Sequence, residues 1–279
     1  MLKKLIKKTI NNKYILFICF LLNYNIAQAL ELKGNFIQGG LVIGKTQTTA
    51  KVYLNNINIP VDDKGEFLLA FSRKNKPLVK LEVILINGNK INKNFKIKSR
   101  KYDIQKINNL DKKKVVPPSK FYDRIKKEIK LVQKAKKIKI AEPFYQSGFI
   151  WPATGIITGV YGSQRILNGI PKRPHFGVDL ANKIGTPVIS PADGIVILAK
   201  KDLYFAGDTI IISHGKGLSS SLLHLSDIFV IAGQKIRKGE IVGVMGQTGR
   251  ATGVHLDWRM ELRGVRIDPQ LLVKNKDLK

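Results

Sequence analysis

The sequence predicts an all-β fold. Short apolar runs alternate with turn residues along most of the chain. Glycines become frequent from Trp151 onward, between runs such as "TPVISPADGIVILA" and "DTIIIS". One convincing amphipathic helix stands between two β-rich stretches.

Residues 1–29 read as a secretory signal peptide. Lys3, Lys4, Lys7, Lys8 and Lys13 form a basic start, "YILFICFLLNYNIA" is a short apolar core, and Ala27-Gln28-Ala29 is a small-x-small cleavage site. An uncleaved anchor is the competing reading, although the core falls short of the roughly 20 residues that span a bilayer. Cys19, the one cysteine, lies in that apolar core. Cleavage after Ala29 leaves a chain without disulfides, thiolate metal sites or cysteine nucleophiles.

Residues 30–100 read as a small β-sandwich domain. "AKVYLNNINIPV" and "GEFLLAF" are strand-like, with Asp62, Asp63 and Gly65 in the turn between them. "LVKLEVILINGNKINKNFKIKS" reads as a hairpin turning at Asn87-Gly88. "GGLVIGKT", Gly39–Thr46, matches the phosphate-loop pattern G-x-x-x-x-G-K-[ST]. That chemistry needs a loop opening a helix, whereas Leu41-Val42-Ile43 is strand material, so the match predicts a turn and not a nucleotide site. Residues 101–148 form a basic linker: Pro117-Pro118 breaks the chain, Ser119 is placed to cap a helix, and Ile125, Ile129 and Val132 recur at helical spacing. Residues 149–273 form the C-terminal β domain and 274–279 a short tail.

The formal charge is +29, with +17 of it in residues 30–145 and +7 in residues 146–279. A biased Lys, Ile and Asn composition accounts for this excess, and loose association with an anionic envelope follows from it. No nucleic-acid-binding motif is present, so nucleic acid is not expected as a partner.

All four histidines, His175, His214, His224 and His255, lie in the C-terminal domain. "PHFGVDLA" places His175 and Asp179 four apart, a spacing that puts both on one side of a strand or a helix, where they can meet at a metal ion. In "VHLDWRM", strand alternation sets His255 and Asp257 on one face and Leu256 and Trp258 on the other. "SSSLLHLSD" adds His224 among apolar neighbours. Imidazoles lining the inside of a β domain are costly unless bound or paired. His214, before a glycine turn, suits a structural hydrogen bond; Arg250 in "TGRATG" is placed to touch a substrate carboxylate, with a solvated loop arginine as the default reading.

These motifs, in this order from about Trp151 to Val273, resemble the LytM/lysostaphin-type zinc metallopeptidases. The upstream layout of signal peptide, small β domain and helix is similar to the envelope members. The resemblance implies a lysostaphin-type β-sandwich or barrel and hydrolysis of peptide cross-links in peptidoglycan, with the stem peptides as substrate. It implies Zn2+ held by His175, Asp179 and Asp257, with His224 and His255 as the catalytic histidines. It also implies an exported protein of the periplasm or cell envelope. The family commonly has His where Asp257 stands. Two carboxylates and one imidazole make the zinc site formally neutral, lower its Lewis acidity and make it more tolerant of Mn2+. A catalytically inactive LytM-like module that binds and activates another cell-wall hydrolase, with an amidase as partner, is the alternative, because fold does not fix function.

Overall fold

The computed structural model describes residues 30–274; the expected signal peptide and residues 275–279 of the tail lie outside the described residues. The described chain forms two compact units.

The first unit is built from residues up to Gly34, Val42–Leu69 and Leu78–Phe95. Its strands are β1 (Leu30–Gly34), β2 (Leu41–Thr46), β3 (Lys51–Leu54), β4 (Ile57–Ile59), β5 (Glu66–Ala70), β6 (Leu78–Ile84) and β7 (Lys90–Lys96). They make two small sheets, β1-β2-β5 and β4-β3-β6-β7. Period-two patterning selects the buried face: Val79, Leu81 and Val83 of β6 are buried, while Leu78 and Lys80 are exposed. The Asp62 turn forms as the sequence predicts. The Asp62 carboxylate accepts from the backbone N–H groups of Lys64 and Glu66, at 2.9 and 2.7 Å. The "LVIGKT" stretch is strand β2, so it is not a phosphate loop and Gly44-Lys45 is not the expected turn either. Gly44 is needed there because a Cβ would collide with the Phe67 ring.

The second unit holds residues 35–41, 70–77 and everything described from Lys96 onward. The segment read as a linker supplies β8 (Ile104–Ile107), helix α1 (Lys112–Val115) and helix α2 (Tyr122–Lys136). The remaining strands are β9 (Ile156–Gly159), β10 (Gln164–Leu167), β11 (Ile170–Pro171), β12 (Val178–Ala181), β13 (Pro187–Ile189), β14 (Gly194–Leu203), β15 (Gly207–Gly215), β16 (Leu218–Ile228), β17 (Lys235–Ile236), β18 (Ile241–Met245), β19 (His255–Leu262) and β20 (Val265–Ile267).

Helix α2 has no side-chain N-cap. A 310 turn over Ser119–Phe121 leads into it, so Ser119 does not cap it as its position suggested. Val132 and Ala135 pack on Ile197, Leu198 and Ile211, whereas Ile129 is exposed. The apolar stripe that holds the helix is therefore narrower than the spacing implied. Lys136 anchors its end to Glu261 at 2.9 Å.

A ten-stranded sheet runs β17-β14-β15-β16-β19-β12-β9, with β13, β18 and β20 attached beside it. Strands β15 and β16 are joined through Lys216 and Gly217, both at positive φ, which is the two-residue turn that matches strand twist. Strand β19 lies between β16 and β12, so its residues face partners on both sides. Leu256, Trp258 and Met260 are fully buried, and the Trp258 ring meets Trp151 edge-on at 5.9 Å. Each such side chain contributes about 1.5–3 kcal/mol by burial. This apolar side of β19 fixes its register. The register in turn sets Asp257 directly opposite Asp179 of β12 and beside Leu223 of β16.

Candidate metal centre

His175, Asp179 and Asp257 come together, each buried, with one ligand atom of each within 4.8 Å of the others. The two carboxylates converge because their residues are cross-strand partners. His175 arrives differently. It precedes β12 instead of sharing a strand with Asp179, and its backbone is tied to the neighbouring loop by Gly162 N–H donating to His175 O and His175 N–H to Ser163 O. His175 Nε2 stands 3.0 Å from Asp179 Oδ1. That approach is not a hydrogen bond: both imidazole nitrogens and Asp179 Oδ1 are buried without a hydrogen-bond partner. Unpaired buried polar atoms cost free energy, so donors crowded in this way fit a shared cation. An imidazole nitrogen with carboxylate oxygens is a donor set suited to zinc.

Two arginines stand behind the carboxylates. Arg259 donates from Nε to both oxygens of Asp257, each at 3.0 Å, and also from Nη2. Arg165 pairs with Asp179 Oδ2 and is itself tied to Gln105 at 3.3 Å. Burial raises the affinity of the Asp257 carboxyl for a proton, but Arg259 and His175 outweigh it and hold the group well below the usual carboxylate range. Asp179 is likewise lowered: burial and Asp257 push it up, and His175 and Arg165 prevail. Both are therefore ionised and ready to act as ligands. Two glycines clear the space. A Cβ at Gly177 would lie 2.7 Å from Asp257 Oδ1, and one at Gly159 would fall on Asp179 Oδ2.

The rings of His224 and His255 lie 4.8 Å apart. Alternation along β16 would put His224 on the side of Leu222, which pairs with Trp258 in the core. A bulge in the β15–β16 ladder and a φ of +66° at His224 turn it instead toward His255. Such backbone is uncommon away from glycine and clusters at functional sites. Its Nδ1–H donates to Thr248 O at 2.8 Å, and that of His255 donates to Gly253 O at 2.9 Å. Burial, then the neighbouring His255, pushes His224 down to about 4, so it is neutral near pH 7 and presents a bare Nε2.

His214 stands apart from this group. Fully buried, it makes bonds of 2.8 Å to Asp193 O and 2.7 Å to Ser220 Oγ, the structural role its position suggested. Arg250 is not a solvated loop residue. It is partly buried, with its guanidinium 4.7 Å over the Phe205 ring, and it lines a cavity of about 250 Å³ beside Asp179 and His255. Arg165, Arg259, Gly159 and Gly177 carried no motif signal. The i, i+2 spacing of Asp257 and Arg259 on one strand face was the available clue for that pair.

The sheet, the paired carboxylates and the two neighbouring histidines make up a β domain with one candidate metal centre among its described residues. Residues 173–269 match the model of Peptidase family M23. Over 102 residues it is 43% identical to the peptidoglycan DD-endopeptidase ShyA of Vibrio cholerae, spanning 36% of this chain and 24% of that protein. Over 122 residues it is 31% identical to the lipoprotein NlpD/LppB homolog of Pseudomonas aeruginosa, spanning 44% and 38%. A Pseudomonas aeruginosa crystal structure described as a candidate peptidase M23 superposes with a TM-score of 0.64 at 25% identity, covering 85% of this chain and 94% of that one. The chain spans only 20–24% of the length of three of its curated relatives.

Proposed function

We propose that this chain is an exported, zinc-dependent endopeptidase that hydrolyses peptide cross-links of peptidoglycan. The observation that carries the reading is the buried cluster of His175 and Asp179, whose facing atoms stand together unbonded, beside Asp257. In this reading the three residues hold the metal and Arg259 and Arg165 keep the carboxylates ionised. Bound zinc supplies Lewis-acid polarisation of the scissile carbonyl and activation of water. His224 and His255 then handle protons. The bare Nε2 of His224 would accept the proton lost by the attacking water and return a proton to the departing amine nitrogen as the amide C–N bond breaks, with His255 alongside as the second imidazole. Their Nδ1 anchors on Thr248 and Gly253 keep both rings oriented. The M23 domain match and the likeness to a peptidoglycan DD-endopeptidase support the substrate class.

The test measures metal content and muropeptide release on one preparation, with and without a chelator. About one zinc per chain, and release that stops on chelation and returns on zinc addition, is the expected result. A preparation that takes up no zinc and releases no muropeptides overturns the reading in favour of a non-enzymatic module.

A further inference from the structure

Arg165 and Arg250 line the cavity beside Asp179, Arg259 stands behind Asp257, and the three arginines are not equivalent. Arg165 is paired with Asp179 and Arg259 with Asp257. Arg250 makes no ion pair among the described residues; its guanidinium rests on Phe205 and its backbone N–H is fixed to Phe205 O at 2.9 Å. Holding a third cation near two others, partly out of water, is unfavourable unless an anion joins it. Burial, then the charges of Arg259 and Arg165, outweighs the opposing pull of Asp257 and lowers Arg250 to about 10, which still leaves it charged at neutral pH. The same cavity is also lined by the apolar residues Ile107, Leu110 and Leu167. A ligand that suits both parts is a peptide with small alkyl groups and a free carboxylate.

We infer that Arg250 is the specificity residue that binds a free carboxylate flanking the scissile amide of the substrate peptide. This rests on the peptidase reading and sharpens it. The stacked guanidinium presents its donors in a fixed plane, the arrangement suited to two-point contact with a carboxylate. Backbone anchoring at Phe205 makes Arg250 a preset contact, and the apolar lining residues receive the alkyl part of the peptide.

The experiment uses the full chain and two probes: cross-linked muropeptide dimers with free carboxylates, and the same dimers with those carboxylates amidated. With zinc-loaded wild type, kcat/KM favours the acid form about tenfold, mainly through KM, as expected for a charge-assisted contact. Arg250→Gln brings the acid-to-amide ratio close to one, and Arg250→Lys restores part of it. Equilibrium binding of both dimers to the zinc-free protein gives the same ratios. A wild type without preference, or an Arg250→Gln variant that weakens both forms equally, overturns the inference. If zinc-loaded wild type cleaves neither dimer, the peptidase reading fails, and the binding ratios alone decide Arg250. A tenfold preference lost in Arg250→Gln upholds its carboxylate site, and equal binding rejects it.

Discussion

The two units are both made of strands, yet they treat polar groups in opposite ways. The first unit fills its interior with Val52, Phe67, Leu68, Leu69, Leu81 and Val83, and Thr46 is its buried polar side chain among the described residues. The second buries His175, Asp179, His214, His224, Asp257 and Glu261 beside an apolar core of similar quality. A unit that only has to fold gains by excluding such groups, since each buried charge costs several kcal/mol before its partners offset it. The second unit retains them: Asp179, His224 and Asp257 collect where β12, β16 and β19 meet, with His175 beside them, while His214 and Glu261 make separate structural contacts. Polar burial, not strand content, therefore sets the second unit apart from the first.

The sharpest way to break that contrast is at Asp257. Asp257→Ala removes a carboxylate and leaves Arg259 buried without its partner. Zinc affinity should fall by more than about a hundredfold, and stability should drop by about 3–5 kcal/mol. Asp257→His should still bind zinc, because imidazole is an equivalent donor. Competition with a chromogenic chelator reads the affinity, and urea unfolding reads the stability. An Ala variant that binds zinc like the native chain would make Asp257 the partner of Arg259 and nothing more.

A smaller effect separates two buried histidines within the second unit. His224→Ala should cut peptide hydrolysis by about 10²–10⁴-fold with zinc content unchanged. His214→Ala should keep hydrolysis per folded molecule but cost about 1–3 kcal/mol, because Asp193 O and Ser220 Oγ lose a partner. Burial lowers His214 to about 4, below its unfolded value. Its unfolded form therefore binds more protons between about pH 4 and pH 6.5. The stability it contributes is fully present above pH 6.5 and is lost as pH falls toward 4, on the order of 3 kcal/mol in all. Denaturant midpoints across that range should flatten in His214→Ala; an unchanged pH slope would remove His214 from the account.

Much of this arrangement is legible in the chain itself. The alternation of His255-Leu256-Asp257-Trp258 and the glycine turns are local patterns, and local patterns report strand faces; the H-x-x-x-D pair meets by another route, since His175 lies ahead of β12. What is not legible arises from pairing between distant segments. The bulge that turns His224 depends on the register of β15 against β16. The room for two carboxylates depends on Gly159 and Gly177, which lie far from Asp257 in sequence or on another strand. Arg250 reads as a loop residue until Phe205 is brought beneath it. The same limit explains α2, where helical spacing marks Ile129 as buried but packing against β14 and β15 selects Val132 and Ala135.

The smallest effects belong to the first unit and test the other side of the contrast. Gly44 and Lys45 occupy the last glycine and the lysine of the phosphate-loop match, where a nucleotide site would make the lysine indispensable. In strand β2 their importance is reversed. Lys45 is exposed, and Lys45→Ala should shift stability by no more than about 0.5 kcal/mol. Gly44→Ala forces a methyl group into the Phe67 ring and should cost about 1–3 kcal/mol. Neither variant should alter zinc content, because the metal cluster lies wholly in the second unit. Thermal unfolding of both variants with parallel metal analysis decides it. If Lys45→Ala proved the more damaging of the two, the reading of this unit as an apolar scaffold without a charged site would fail at that residue.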